Sequence, residues 1–416
     1  MKSALLFFTL MGLLHPVCAH EKQAADLQQL LDIALKTNPE IQAAEQRMQA
    51  ARAATRYASA LPDPMFSYTR WLSGVETRVG PQENVFSLSQ RIPFPGKLGL
   101  QGQIAGQDLE AARHALAATQ LDVVLKVKST YAELFRIDQS LTTLNEYENL
   151  LRDFSEVAAT KYAVGQGMQA QILKAGVEIS SIAVQRLNFE KMRTSAVARM
   201  NALLDQSPDT EVGPVTALDT SSVAAGYDTL LQQALEQKPE LQANEAMITK
   251  AELAHKLAGK ASYPDLNVQA TYVTIPKLAA VPSDAGKDPF ALMVGVNLPI
   301  WFGKNRARVE HAQAARVAQE LRQKSLQNAM EAEVADVLFQ MRATRQTLQL
   351  YEKGLLVQAE SSLESALSAY KTGNLDFLNL LDAERMLLQF RLAYFNEIAS
   401  YFKQVAALER ATGGTN

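Results

Sequence analysis

The chain is nearly devoid of cysteine. Cys18 is the one thiol among 416 residues, which excludes an internal disulfide framework and a cysteine-built metal site. There is no surplus of positive charge. Lys and Arg number 41 against 44 Asp and Glu, a formal net charge of -3, so a broad basic surface for nucleic acid is missing. The mean hydropathy is -0.10, and beyond the N-terminal segment no apolar run is long enough for a spanning helix. Histidine is sparse. His114, His255 and His311 are far apart, and none has a second His at ligand spacing. Glu110 and His114 stand at i, i+4, a single pair of the kind an ordinary solvated helix face carries. Methionines form no paired clusters of the kind that marks a soft-metal path. Gly96-Lys97 lacks the following Ser or Thr and the upstream glycine spacing of a phosphate loop. Gly99, Gly102 and Gly106 lie just ahead of a helical stretch and make no dinucleotide fingerprint, and there is no Gly-x-Ser-x-Gly elbow. The expectation is a protein without enzyme activity, cofactor or tight metal site.

What the sequence does contain begins with an export pattern. Lys2 precedes an apolar core from Ala4 to Leu14, and Val17-Cys18-Ala19 supplies small residues for cleavage. Residues 1–19 therefore read as a secretory signal peptide, removed after Ala19. Lipidation of Cys18 is the alternative. It is disfavoured because Val17 stands where a lipoprotein signal has a small residue.

Two matching stretches organise the rest. Lys161-Tyr162-Ala163-Val164-Gly165 runs on through Leu173 and Ala175, and Ala369-Tyr370-Lys371-Thr372-Gly373 runs on through Leu381, Asp382 and Ala383. Tyr162 and Tyr370, Gly165 and Gly373, and Leu173 and Leu381 are each 208 residues apart. In both, a long helical stretch leads to Tyr-x-x-Gly and an apolar helical pattern then resumes. A glycine at such a point suits a reversal between two helices. Upstream, Leu30-Leu31, Ala34-Leu35 and Pro39-Glu40 recur as Leu230-Leu231, Ala234-Leu235 and Pro239-Glu240, an offset of 200. Pro62-Asp63 recurs as Pro264-Asp265. A duplication of this extent defines two repeats, residues 20–204 and 227–412, joined by a Pro-, Ser-, Thr- and Gly-rich linker at 205–226 and ending in a short tail at 413–416.

Within each repeat a helix, with Asn38 as N-cap and Pro39 in its first turn in the first copy, leads to two alternating segments. Strands are expected at 64–72 and 85–92, then at 265–273 and 290–300. Phe66, Tyr68 and Leu72 share one face, and Phe86, Leu88 and Ile92 alternate with Ser87, Ser89 and Arg91. Leu266, Val268, Ala270 and Tyr272 alternate with Asn267, Gln269 and Thr271. This is the period-2 pattern of a sheet apolar on one side and polar on the other. Ser73 to Asn84 and Ile275 to Pro289 read as hairpin loops. A Gly- and Pro-free stretch from Gln107 to Val164 then predicts one helix of coiled-coil length, with a seam through Leu134, Ile137, Leu141, Leu144, Tyr147, Leu151, Phe154 and Ala158. Its counterpart runs to Gly373 and is weakened only at Gly354. The fold class is mainly α with a small β part, arranged as long helical hairpins and four strands. Four strands cannot close a barrel alone and isolated hairpins are marginal in water, so several exported chains contributing to one transmembrane barrel fits the alternation. A soluble β-platform packed on helices is the plainer alternative.

Ile92-Pro93-Phe94-Pro95-Gly96-Lys97 after the second strand, Leu298-Pro299-Ile300-Trp301-Phe302-Gly303-Lys304 after the fourth, the two tips and the duplicated halves together resemble the TolC-like outer-membrane efflux proteins. The proline-rich Gly-Lys turn leans toward their heavy-metal (cation) branch. The resemblance covers nearly all the chain after the signal. It implies a homotrimer with a twelve-stranded barrel in outer-membrane lipid and a twelve-helix periplasmic tunnel. It further implies partners: a periplasmic membrane-fusion adaptor on the tips and, through it, an inner-membrane pump of the RND type. Pro93, Gly96, Pro299 and Gly303 become the strand–helix junctions. Tyr162, Gly165, Tyr370 and Gly373 become the docking and gating tips. Asp382 takes the position of the acidic ring at the pore entrance, with Asn379 one turn earlier where some relatives carry another carboxylate. Three convergent carboxylates would concentrate cations; an ordinary exposed helix residue is the alternative for Asp382. The positions that would supply charged partners for a lock between the tips read Gln171 and Leu375, so any lock here is weaker or built otherwise. Two further readings of the whole stay open: the duct of a type I protein secretion system, and a soluble periplasmic coiled-coil scaffold.

Overall fold

The computed structural model describes residues 24–221, 225–276 and 286–414. The signal peptide, with Cys18, lies outside the described residues. In chain order the elements are α1 (Leu27–Thr37), α2 (Pro39–Ala58), β1 (Met65–Val75), β2 (Gln82–Ile92), α3 (Lys97–Ala163), α4 (Gln169–Leu203), α5 (Tyr227–Gln237), α6 (Pro239–Gly259), β3 (Leu266–Thr274), β4 (Phe290–Val296), α7 (Phe302–Leu350), α8 (Leu356–Lys371) and α9 (Phe377–Thr412). A π-helical turn at Tyr351–Leu355 joins α7 to α8 without breaking the rod, and Gly354 sits in it.

The repeat is visible in how the helices start. Asn38 caps α2 by accepting from the backbone N–H of Glu40 at 2.9 Å and Ile41 at 3.4 Å. Its counterpart is Lys238, which makes no cap bond and instead pairs with Glu333 at 2.5 Å. Pro39 and Pro239 open their helices alike, where a missing N–H costs nothing. The long helix α3 has 67 residues, about 100 Å at 1.5 Å per residue. It begins at Lys97, earlier than the glycine-free stretch indicates, and absorbs Gly99, Gly102 and Gly106. Packing outweighs propensity here: a Cβ on Gly102 would lie 3.0 Å from Ser59 Cβ at the end of α2, so this glycine permits the two helices to approach.

The strands form one antiparallel sheet in the order β1-β2-β3-β4. Phe66, Leu88, Ala270 and Leu292 stand in one cross-strand row, and Tyr68, Phe86, Tyr272 and Phe290 in the next but one. Between them on the other face lies the row Ser67, Ser87, Thr271 and Ala291, where Ser87 and Thr271 hydroxyls meet at 3.3 Å. The alternation read along each strand thus becomes two coherent faces across four strands. The apolar face is bare in the single chain, with Phe66 65 % and Leu292 71 % exposed. The expected bounds shift at the turns. β1 continues to Val75 and β2 starts at Gln82, through a register shift after Arg70. Gly74 allows this by letting Pro81 close to 3.0 Å of where a Cβ would stand. β4 stops at Val296 instead of 300: Asn297 N–H still donates to the Asp265 carbonyl at 3.3 Å, and the backbone then turns, with Ile300 N–H donating to Leu298 at 2.9 Å and Phe302 N–H to Ile300 at 3.0 Å.

Asp265, just ahead of β3, ties the sheet to the helices. Its carboxylate accepts from Arg91 at 2.7 Å, Lys97 Nζ at 2.7 Å and the Phe94 N–H at 2.9 Å. Its side chain is 8 % exposed and that of Lys97 14 %. One residue of the second repeat therefore holds the end of β2 and the start of α3 from the first. Below the junction the apolar seam of α3 packs into a core with Met200 of α4, Leu230 of α5, Leu338 and Leu348 of α7, and Tyr401 and Leu408 of α9. The described residues of the segment between repeats form no helix or strand but are anchored. Val215 is fully buried and its N–H donates to Asp138 at 2.9 Å, while Arg193 pairs with the same carboxylate at 2.7 Å.

Removing one partner of a largely buried ion pair leaves the other charge uncompensated. Asp265→Ala is therefore expected to lose on the order of 3 kcal/mol, read as a lower denaturant midpoint of the detergent-solubilised protein. An unchanged midpoint would show that the cluster does not hold the junction.

Candidate functional site: the helical tips

Each tip is a helix stop followed by a reversal. After α3, Gly165 N–H donates to the Tyr162 carbonyl at 3.0 Å and Gln166 N–H to the Lys161 carbonyl at 2.8 Å. After α8, Gly373 donates to Tyr370 at 3.2 Å and Asn374 to Ala369 at 2.9 Å. This pair of bonds is the Schellman motif, and it requires a left-handed residue at the glycine. Gly165 has φ +74° and Gly373 φ +81°, with no other group near an added Cβ. The recurring Tyr-x-x-Gly is thus explained by backbone geometry, with both glycines projecting into open space.

The two tyrosines diverge. Tyr162 is 48 % exposed, whereas Tyr370 is 3 % exposed and packs on Phe377 with ring centroids 5.6 Å apart. Lys161 explains the difference. Its ammonium lies 4.2 Å from the Tyr370 ring centroid and donates to the Tyr370 carbonyl at 2.5 Å. Tyr370 therefore joins the two hairpins through its ring and backbone; its hydroxyl has no protein partner. Further ties follow. Gln171 donates to Asp376 at 3.4 Å, and Arg385 of α9 forks onto Glu178 of α4, with Nε at 3.2 Å. Gln171, one of the substituted lock positions, takes part as a weak polar contact. Lys161, Glu178, Asp376 and Arg385 were not singled out from the sequence. Laying the two post-tip helices side by side at their glycines would have brought Glu178 and Arg385 to nearly equal height.

Asp382 projects from α9 with its side chain 72 % exposed, and Arg385 stands 3.8 Å away. The carboxylate is presented to solvent, but beside a guanidinium that offsets part of its charge. Asn379 is exposed one turn earlier. At the other end, Pro93, Gly96 and Pro299 lie in the crossovers between strand and helix. Gly96 is left-handed with φ +86° and caps α3. Gly303 does not match it, because it already lies within α7, which Trp301 precedes as N-cap.

One residue behind the tips stands out. Glu384 is 1 % exposed and neither carboxyl oxygen has a hydrogen-bond partner in the protein. It borders a groove of about 400 Å³ lined also by Tyr147, Glu146, Leu150, Leu363 and Arg391. Burial, with Glu178 nearby, raises its pKa from 4.5 to about 8. The same burial, with Glu384 and Glu178, pushes the Tyr147 phenol up. Among the described residues no group of three or more His, Cys, Asp or Glu is arranged to hold a metal ion, and no helix is long and apolar enough to cross a membrane.

A four-stranded sheet with one bare apolar face continues into two helical hairpins, the long arm of each about 100 Å. The chain belongs to the outer membrane efflux protein family, whose match spans residues 30–206 and 230–414, one segment for each repeat. It is similar to the cobalt-zinc-cadmium resistance protein CzcC of Cupriavidus metallidurans, 20 % identical over 389 residues, covering 93 % of this chain and 90 % of that one. It is similar also to the solvent efflux pump outer membrane protein SrpC of Pseudomonas putida, 24 % identical over 412 residues and covering 93 % and 85 %. Among solved structures it shares the fold of the outer membrane protein VceC of Vibrio cholerae, with a TM-score of 0.78 and 22 % identity, covering 93 % of this chain and 96 % of that one.

Glu384 makes the helical region sensitive to pH. Its folded pKa lies above its unfolded one, so the folded chain keeps a proton that the unfolded chain releases. Stability is full below 4.5 and falls as pH rises from 4.5 through about 8. Glu384→Gln should flatten that slope and exceed the parent in stability at the alkaline end, as read from denaturant midpoints across the range. Identical slopes in both proteins would show that Glu384 does not hold the proton.

Proposed function

We propose that the chain is the outer-membrane exit duct of a tripartite efflux system. Three copies close a twelve-stranded barrel in the outer membrane, and their helices continue as a periplasmic tunnel. The observation that carries this reading is the sheet: one coherent apolar face, with β1 and β4 left as open edges. In lipid every backbone N–H and C=O must be paired, so an open sheet has to close. β1 and β4 run in opposite directions, so the β4 edge of one copy meets the β1 edge of the next as a further antiparallel pair. Membership in the outer membrane efflux protein family and the shared fold support three copies and the outer-membrane setting.

The duct is passive, and its tips dock a periplasmic adaptor that links it to an inner-membrane pump, of the RND type. Gly165 and Gly373, each in open space at the end of a helical rod, are the docking points, with Tyr162 and Tyr370 beside them. Docking opens the periplasmic end by pulling apart the contacts of Lys161 with Tyr370 and Arg385 with Glu178. Asp382, with Asn379 one turn away, faces the entrance and enriches cations there. The cargo is of the heavy-metal cation or drug class. CzcC is named for cobalt, zinc and cadmium and SrpC for solvent, so one fold serves both and selection belongs to the pump.

The first test is the native mass of the protein extracted from isolated outer membranes in mild detergent. A trimer is expected, and a monomer released without detergent would support the periplasmic scaffold instead. Deleting the gene and comparing susceptibility to metals and to drugs identifies the cargo; loss of protein secretion with neither change would point to the type I duct. Two variants test the tips. Asp382→Ala is expected to weaken cation selectivity and block in bilayer recordings, and unchanged recordings would remove its entrance role. Gly165→Glu or Gly373→Glu should abolish export while the barrel still inserts, and full export by both would show that the tips do not dock the adaptor.

A further inference from the structure

The groove at the foot of the sheet has a composition that a plain duct wall does not require. It holds about 730 Å³ between the first turns of α3, the last turns of α6 and the first turns of α7. Its roof is the end of the polar sheet face. Toward the helices from Ser87, Thr271 and Ala291, the same face carries the row Arg91, Asn267 and Gly295. Two residues further, Asp265 and Asn297 close it. The Asn297 N–H donates to the Asp265 carbonyl at 3.3 Å, and the Asp265 N–H donates to the Asn297 side chain. Both residues line the groove. The groove therefore opens on the polar side of the sheet, which faces the water-filled interior in the duct reading.

The unpaired side chains in the groove are basic. Lys304, Arg308 and His311 of α7 line it at i, i+4 and i+7, one stripe of the helix. All three are exposed, and among the described residues none has a hydrogen-bond or ion-pair partner for its side chain. The carboxylates nearby are engaged elsewhere. Asp265 is held by Arg91 and Lys97, Asp108 by Lys250 at 2.6 Å, and Glu310 by Arg306 at 2.9 Å on the other side of α7. The floor is apolar: Ala254, Leu257, Ala258 and Ala261 of α6 are half-buried at i, i+3, i+4 and i+7. The repeat does not impose the basic stripe. With Pro93 matched to Pro299, the counterparts of Lys304, Arg308 and His311 are Leu98, Gly102 and Ala105. A solvated helix face has no need of a concave apolar floor, and a packing surface has no need of three unpaired basic groups.

We propose that this groove binds an amphiphilic organic anion, a compound with a sulfonate, carboxylate or phosphate group on an apolar body. Lys304, Arg308 and His311 hold the head group, and the body lies on Leu257 and the alanines of α6. A concave apolar surface with a few convergent polar groups is the general form of a small-molecule site, and the volume suits a ligand of drug size. Confinement in a groove also focuses the field of these charges, which attracts an anion more than the same charges do on an open surface. Three copies place three such sites in a belt where the tunnel meets the barrel. That placement rests on the duct reading, while the ligand class rests on the groove itself. The belt lies at the opposite end of the helical rods from Asp382 and bears the opposite charge, so organic anions are held near the exit.

The test uses full-length protein purified from outer membranes and reconstituted into bilayers of zwitterionic lipid. Octanesulfonate is expected to reduce the channel current reversibly. Inorganic sulfate, which has the head without the body, and octyltrimethylammonium, which has the body with the opposite charge, should not. Lys304→Gln combined with Arg308→Gln is expected to raise the half-blocking concentration of octanesulfonate roughly tenfold. Ala258→Phe, which fills the groove and leaves its charges in place, should raise it as well. Arg306→Gln, on the other side of α7, should leave it unchanged. Equal block in the parent and the double variant would overturn the site. Sulfate or octyltrimethylammonium blocking as well as octanesulfonate would overturn the ligand class. Pores that conduct but are never blocked would overturn the site and leave the duct standing. A protein that forms no pores would overturn the duct reading and with it the belt.

Discussion

An open sheet edge in lipid is the constraint on which this molecule is organised. Each unpaired backbone group there loses water without gaining a partner. The chain supplies four strands with two free edges, and the apolar face spans all four in register. Neither property is useful to an isolated soluble monomer, which rarely exposes a contiguous apolar patch of this kind. The strands also dictate the helices. Each strand pair feeds one long rod through a short crossover that holds Pro93 and Pro95 in the first repeat and Pro299 in the second. Asp265 fixes the first of these junctions by collecting Arg91, Lys97 and the Phe94 N–H onto one carboxylate.

Duplication makes the rest economical, and the places where the copies differ show what each copy contacts. Asn38 caps its helix and also donates to the Leu203 carbonyl at 2.9 Å. Lys238 instead reaches Glu333. Tyr370 is buried beneath Lys161, while Tyr162 has only Ala369 as the counterpart of that lysine and stays exposed. Exposed apolar residues follow the same rule. Leu173, Val177, Val184 and Leu187 are bare on α4, and Phe339 and Leu350 on α7, whereas the corresponding surfaces of α9 and α3 meet within the chain, for example through Phe135 and Phe395.

Much of this was legible in the sequence because it rests on local rules. Period-2 alternation gave the strand faces, the Tyr-x-x-Gly recurrence gave the tips, and repeat matching gave the order of elements. Three features were not legible. The start of α3 was missed because Gly99, Gly102 and Gly106 argue against helix by propensity, while packing on Ser59 makes small residues useful. The equivalence of Gly96 and Gly303 failed because one glycine is left-handed and the other helical, a difference in φ that identical letters conceal. The ties across the tips were missed because Lys161, Glu178 and Arg385 meet only after two hairpins pack, more than 200 residues apart in sequence for each pair.

The strength of the contacts is graded along the rods. At the junction a carboxylate is held in a buried cluster, and in the middle Arg410 is gripped by Asp122 at 2.5 Å and by Glu240. At the tips the ties are lighter. Arg385 is half exposed, a setting in which an ion pair contributes at most about 1 kcal/mol, and the Lys161–Tyr370 contact adds a similar amount. Behind them sits Glu384, a buried carboxyl without a partner. If the tips open as proposed, a few contacts of about 1 kcal/mol each break there, well before the Asp265 cluster at the junction is strained.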